Sequence, residues 1–83
     1  MYTTFSDSEA PATAEHVTRE SNLIARNLEA LGAEAAAAAT ADHIRRFWAP
    51  LLRLTLLEQA DAHRDRFSPI ACDAIARLRR DAD

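Results

Sequence analysis

The sequence predicts an all-α fold, a small bundle of about four short helices with a sharp corner at Pro50. Large apolar residues recur at helical spacing, and no stretch alternates apolar and polar residues as a strand would. Gly32, Pro50 and the Ser68-Pro69 pair divide the chain into segments of helical length. A chain of 83 residues supports one core. We therefore expect one helical domain over residues 13–80, a flexible N-terminal tail at 1–12 and a C-terminal tail at 81–83.

The first helix is predicted from about Thr13 to Leu31. Thr13 is a suitable N-cap residue, and Gly32 stands where a left-handed C-cap residue is expected. The apolar residues that form one stripe at helical spacing are Val17, Ile24, Leu28 and Leu31.

The second helix is predicted from about Ala33 to Trp48, with a high alanine content that favours helix formation. Its small residues allow another helix to approach closely, and Asp42 and Arg46 have the spacing of an ion pair on one helix face. The contact stripe is predicted to contain Ala37, Ala41, Ile44 and Trp48.

The third helix is predicted from Pro50 to about Ala60. Pro50 cannot continue the second helix, but proline is favoured as the first residue of a new one. Five leucines follow, at positions 51, 52, 54, 56 and 57, and together they point to every side of the helix. Either this helix is central and enclosed by its neighbours, or some of its leucines face another molecule. Because so short a chain has little core with which to cover them, we expect the second arrangement.

The fourth helix is predicted from Pro69 to about Arg80, after a charged connector at residues 61–66. Ser68 is the expected N-cap, and Phe67 and Cys72 have the spacing of a hydrophobic staple. The residues predicted to face the core are Ile70, Ala74, Ile75 and Leu78.

Composition and spacing argue against several classes of function. The net charge of −3, with acids and bases interspersed, predicts neither a nucleic-acid-binding nor a membrane-binding protein. The single cysteine and the absence of a long apolar run favour a protein of the reducing cytoplasm. No ligand spacing typical of a metal site, and no nucleophile beside a base, occurs around His16, His43, His63 and Cys72. We expect no catalytic, metal-binding or cofactor-binding residue.

The aromatic and leucine-rich segment around Pro50 is the best candidate for binding another protein. Tryptophan and other aromatic residues contribute strongly to interfaces. Trp48 shares a stripe with Ile44 and is expected to lie partly in the core, which leaves Phe47 and the leucines beyond the corner as stronger candidates. The residues predicted to bind a partner are His43, Phe47, Trp48, Pro50, Leu51, Leu52, Arg53 and Leu56.

A set of short motifs occurs along the chain in a fixed order: Ser21-Asn22-Leu23-Ile24, an alanine-rich helix, His43-x-x-x-Phe47-Trp48-x-Pro50, and Phe67-Ser68-Pro69 before a helix with Ala74 and Leu78. This order resembles a known family, the delta subunit of NAD-dependent formate dehydrogenase. The resemblance implies a non-catalytic accessory subunit of a cytoplasmic oxidoreductase complex that contains molybdenum or tungsten. Its implied partner is the large catalytic subunit that holds the molybdopterin cofactor, with a role in assembly or cofactor retention.

The segment after the corner departs from the family pattern. Family members usually carry Asp before the proline and Arg-Met after it, whereas this chain has Ala49 before it and Leu51 and Leu52 after it. Arg53 is the nearest cation. A leucine pair in place of a cationic residue changes a polar contact into an apolar one.

Two other functions are compatible with the sequence. Two copies of the chain could bury the surplus leucines against each other as a symmetric homodimer, a small structural protein unrelated to formate oxidation. An independent small enzyme or metal carrier is the third hypothesis, and metal analysis of the purified chain would test it.

Overall fold

The structure, a computed structural model, describes the backbone of residues 9–82 and the side-chain environments of residues 13–81. The described part consists of helices and connections without a strand, which confirms the predicted all-α class. The helices are α1 (Glu9–Leu28), α2 (Ala33–Phe47), α3 (Pro50–Ala62) and α4 (Pro69–Ala82), and short 3-10 turns at Glu29–Leu31 and Arg64–Arg66 precede α2 and α4.

Helix α1 begins at Glu9, four residues before the predicted start. The prediction that Thr13 is the N-cap is wrong, because Thr13 lies inside the helix. Pro11 is the third residue of α1, and a proline is accommodated there because the first four backbone N–H groups of a helix have no partner within it. Of the predicted tail, residues 1–8 lie outside the described residues and residues 9–12 belong to α1.

The end of α1 differs from the predicted stripe. The chain tightens into a 3-10 turn after Leu28, so Leu31 rotates away from the stripe and is 57% exposed. Gly32 follows with φ +99° and ψ 152°, a conformation that is essentially restricted to glycine, and its N–H donates a hydrogen bond to the Glu29 carbonyl at 3.0 Å. Glycine at this position therefore separates α1 from α2, as the sequence predicted.

The core lies where α2 packs along α4, with α1 against the other three helices. Much of it consists of small side chains, which allow the helix backbones to approach closely. The predicted inward residues Ala37, Ala41 and Ile44 are all buried. The core cluster contains Val17, Ala25, Ala41, Ile44, Leu56, Phe67, Ala71, Ala74, Ile75 and Leu78.

Thr40 is the exception in this core. Its side chain is fully buried, and its Oγ1 is the one buried side-chain polar atom of the described residues that has no hydrogen-bond partner. A buried hydroxyl without a partner loses its hydrogen bonds to water and receives none in return. This atom is therefore a local weakness of the fold.

We expect Thr40→Val to raise the free energy of unfolding by about 1 kcal/mol, because the substitution replaces an unpaired hydroxyl with a methyl group of similar size. Thermal unfolding followed by circular dichroism measures this change. Thr55→Val is the matched control, since the Thr55 hydroxyl donates to the Leu51 carbonyl at 3.0 Å and is only half-buried. A Thr40→Val protein less stable than the wild type would contradict this interpretation of the hydroxyl.

The start of α4 follows the prediction. The Ser68 Oγ accepts a hydrogen bond from the Ala71 N–H at 3.1 Å, which makes Ser68 the N-cap. Phe67 is buried, and the Cys72 thiol is half-buried and donates to the Phe67 carbonyl at 3.8 Å. The helix continues past the predicted end at Arg80 to Ala82, so that residues 81 and 82 are helical and not part of a tail.

Asn22 joins α1 to the turn before α4. Its Nδ2 donates to the Arg66 carbonyl at 2.8 Å, and its Oδ1 accepts from the Ser68 N–H at 2.9 Å. One side-chain amide thus pairs with backbone groups on both sides of Phe67. These two bonds hold the turn so that the Phe67 ring points into the core.

We expect Asn22→Ala to lower the free energy of unfolding by about 1–3 kcal/mol, because it leaves a backbone donor and a backbone acceptor of the turn without their partners. Chemical denaturation measures the loss. Asn27→Ala on the exposed side of the same helix is the control, because it makes the same gain in helix propensity without breaking this bridge. Equal stability of the two variants would show that the two hydrogen bonds of Asn22 contribute nothing to the free energy of unfolding.

Candidate docking surface

The corner between α2 and α3 consists of two extended residues. The Trp48 N–H donates to the Ile44 carbonyl at 3.0 Å and closes α2, after which Trp48 adopts φ −92° and ψ 141°. Ala49 is also extended, at φ −63° and ψ 149°, because a residue before proline is disfavoured in the helical region. Pro50 then begins α3. The predicted break between α2 and α3 at Pro50 therefore forms for the expected reason.

Arg53 connects the two helices across this corner. Its Nη1 donates to the Arg45 carbonyl at 3.1 Å and to the Trp48 carbonyl at 2.9 Å. Both acceptors belong to the C-terminal end of α2, where the last carbonyl groups of a helix have no partner within it and carry partial negative charge. A cationic side chain from the second turn of α3 thus caps the preceding helix.

Ion pairs surround the same end of α2. Asp42 pairs with Arg45 at 3.3 Å and with Arg46 at 3.2 Å, the second of which was predicted from the sequence. Arg45 also pairs with Asp81 near the end of α4. These side chains are between 42% and 68% exposed, so each pair adds little stability by itself. The charged side chains of this end are thus paired with one another.

Four exposed apolar residues lie at the end of α2 and in the first turns of α3, and we call them the corner patch: Phe47, Pro50, Leu51 and Leu54. Phe47 is 71% exposed, Leu51 is 72% exposed and Leu54 is 56% exposed. Pro50, Leu51 and Leu54 share the face of α3 opposite its buried side. The hypothesis that this chain encloses all five leucines of α3 is therefore wrong.

His43 lies at the α2 edge of the corner patch. Its ring is exposed, and its centroid is 4.9 Å from that of Phe47, with the two planes tilted by 46°. The spacing of four residues places both rings on one side of α2. The imidazole lies beside the Phe47 ring and leaves most of Phe47 exposed.

A shallow groove of about 360 Å³ adjoins the corner patch on the side of α4. Leu54, Leu57 and Leu78 contribute its apolar surface, and Arg45 and Asp81 lie at its edge. The groove extends the exposed apolar surface from the first turns of α3 toward the last turns of α4. A partner that covers the corner patch can therefore also place a side chain between these helices.

The structure divides the eight residues predicted to bind a partner into an outer and an inner set. His43, Phe47, Pro50 and Leu51 are exposed. Trp48 and Leu52 are half-buried and pack against the core, and Arg53 is half-buried at the capped corner. Leu56 is fully buried, so its assignment to the binding surface is wrong. The reason is helical geometry, since Leu56 lies on the face of α3 that is turned toward the other helices.

Leu54 is the exposed leucine of α3 that is missing from the eight residues predicted to bind a partner. A signal for it exists, because Leu54 follows Pro50 and Leu51 at the spacing of one helix face. That spacing alone does not say whether the face is inside or outside. The position of the neighbouring helices decides it.

The other residues considered as ligands lie on α1, between α3 and α4, and on α4. His16 and His63 are exposed, and Cys72 is half-buried. Within residues 13–81, no group of three or more His, Cys, Asp and Glu side chains is arranged to hold a metal ion. Across residues 9–82, no helix has the length and apolar character needed to cross a membrane.

Comparison with known proteins identifies the family. No curated protein and no solved structure matches the chain. The family model described as NADH-dependent formate dehydrogenase delta subunit matches residues 16–75. This range begins in α1, contains the whole of α2, the corner and α3, and ends inside α4, so it includes every residue of the corner patch. The chain therefore belongs to the NADH-dependent formate dehydrogenase delta subunit family.

Proposed function

We propose that this chain is a non-catalytic accessory subunit of a cytoplasmic, NAD-dependent formate dehydrogenase. In this proposal the corner patch docks on the large catalytic subunit that holds the molybdopterin cofactor, and supports assembly of the complex or retention of the cofactor. Membership of the delta subunit family supports the assignment of the chain to a formate dehydrogenase complex. The exposed corner patch supports docking as its mode of action.

The size of the exposed side chains favours a binding role. Full burial of a Phe or Leu side chain contributes about 1.5–3 kcal/mol each. Phe47, Leu51 and Leu54 retain more than half of their exposure in the isolated chain, so most of this free energy is still to be gained. It would offset part of the entropy lost when two proteins associate. Aromatic and leucine side chains around a rigid corner are therefore well suited to anchor a subunit.

The polar groups of the corner favour a structural role over chemistry. Arg53 binds two backbone carbonyls, and Arg45 binds two carboxylates. These interactions hold α2, α3 and α4 in their relative positions. The Arg45 and Arg53 side chains thus bind groups of their own chain and fix the shape of the surface that the partner would contact.

Affinity purification tests the proposal. We expect a tagged chain, expressed in its own cells, to retain a large subunit that contains molybdenum or tungsten and oxidises formate with NAD. Deletion of the chain should lower formate oxidation in the same cells. Retention of no such subunit, together with unchanged formate oxidation after deletion, would refute the proposal.

Sedimentation of the purified chain separates this function from the homodimer. A chain whose corner patch is reserved for a foreign partner should sediment as a monomer, or unfold without cooperativity, when it is alone. A stable dimer that unfolds cooperatively would favour self-association through the corner patch.

A further inference from the structure

We propose that Arg53 is a positioning residue, which sets the angle between α2 and α3 and so fixes Phe47 relative to Leu51 and Leu54 for docking. The inference deepens the proposed function and rests on it. The sequence assigned Arg53 to direct contact with a partner. The structure shows its guanidinium bound within the chain, to the carbonyls of Arg45 and Trp48.

The corner needs such a residue because Pro50 leaves backbone groups without partners. A residue at position 50 of a continuous helix would donate its N–H to the carbonyl four residues earlier, but proline has no N–H. The helix ends with a set of carbonyls exposed at its negative end. Arg53 supplies two hydrogen bonds to this set from a single nitrogen, Nη1. Its two acceptors are carbonyls to which no backbone N–H of the described residues donates at the corner, where Trp48 and Ala49 are extended.

The consequence for docking is geometric. Phe47 ends α2 and Leu51 lies in the first turn of α3, so the two anchors are carried by different helices. The corner consists of two extended residues, Trp48 and Ala49, and a change in their dihedral angles would move one anchor relative to the other. A held corner presents both anchors in one arrangement and lowers the conformational entropy lost on binding. Arg53 is thus expected to act on affinity through the geometry of the surface.

Trp48 offers a local readout, because it is the one tryptophan in the sequence and its carbonyl accepts a bond from Arg53. We expect Arg53→Met to shift Trp48 emission of the isolated chain to longer wavelength, and to increase its quenching by acrylamide, well below the unfolding temperature. Affinity for the large catalytic subunit should fall about tenfold. Arg53→Lys should keep most of the native Trp48 emission and most of the affinity for the large subunit, because an ammonium group can also donate to two carbonyls.

Arg46→Met serves as the control for Trp48 emission, because Arg46 directly precedes Phe47 in the chain and pairs with Asp42 without contacting the carbonyls that Arg53 holds. A loss of affinity in Arg53→Met with unchanged Trp48 emission would overturn the inference and assign Arg53 to direct contact. Unchanged affinity would also overturn it. Should Arg53→Met fail to fold, an Arg53→Lys protein that keeps native Trp48 emission but loses tenfold in affinity would likewise overturn it. Failure of the proposed function is distinguishable, because the wild-type chain would then not bind the large subunit.

Discussion

Leu56→Ala is expected to lower the free energy of unfolding by about 2–5 kcal/mol, the range for removing a large aliphatic side chain from a packed core. Leu56 is fully buried, and it is the one residue of α3 in the core cluster. A domain of this length has a total stability of about 4–12 kcal/mol, at roughly 0.05–0.15 kcal/mol per residue. The substitution therefore removes a large part of the stability. Chemical denaturation of the purified variant measures the loss.

Leu54→Ala is the matched control on the same helix. Leu54 is 56% exposed, so the same truncation removes a side chain that is largely in water. We expect a change in stability within about 0.5 kcal/mol, as is usual for a surface position. If Leu54→Ala cost as much as Leu56→Ala, the orientation of α3 described above would be wrong.

Leu51→Asp is expected to reduce affinity for the large catalytic subunit by about 100-fold while leaving the fold intact. Leu51 is 72% exposed, so a carboxylate in its place is hydrated in the isolated chain. Docking would have to remove that charge from water without a designated partner, and a loss of about 2.7 kcal/mol corresponds to the stated factor. A titration of the large subunit with labelled wild-type and variant chains measures the ratio.

Leu23→Asp is the control for this prediction. Leu23 is 45% exposed on α1 and lies outside the corner patch, so the same substitution adds the same charge elsewhere on the surface. Both variants should keep wild-type helical content by circular dichroism. Equal affinities of Leu51→Asp and Leu23→Asp for the large subunit would show that the corner patch is not the docking surface.

Local signals explain why much of the fold could be predicted from the sequence. Gly32, Pro50 and Ser68 each act through their own backbone or through neighbours in the chain, and each ends or begins a helix as predicted. Pro11 shows the limit of such signals. A proline near a helix start can stand before the helix or within its first turn, and α1 uses the second arrangement.

The exposed residues around the corner could be predicted only in part, because exposure depends on how the helices pack. Leucines on every side of α3 indicated that some must face outward, but not which. Leu56 was assigned outward and is buried, while Leu54 was omitted and is exposed. Arg53 and Asn22 make contacts that depend on side-chain direction or on residues more than 40 positions away, and sequence spacing carries no information about these.

The most direct test of the central claim, that the corner patch is exposed in the free chain and covered in the complex, is hydroxyl-radical footprinting of both forms. We predict rapid oxidation of Phe47, Leu51 and Leu54 in the free chain, and protection of all three when the large catalytic subunit is bound. Leu31, which is 57% exposed in the 3-10 turn after α1, provides an internal reference within the same chain. Equal oxidation of the corner patch in the free chain and in the complex would contradict the account.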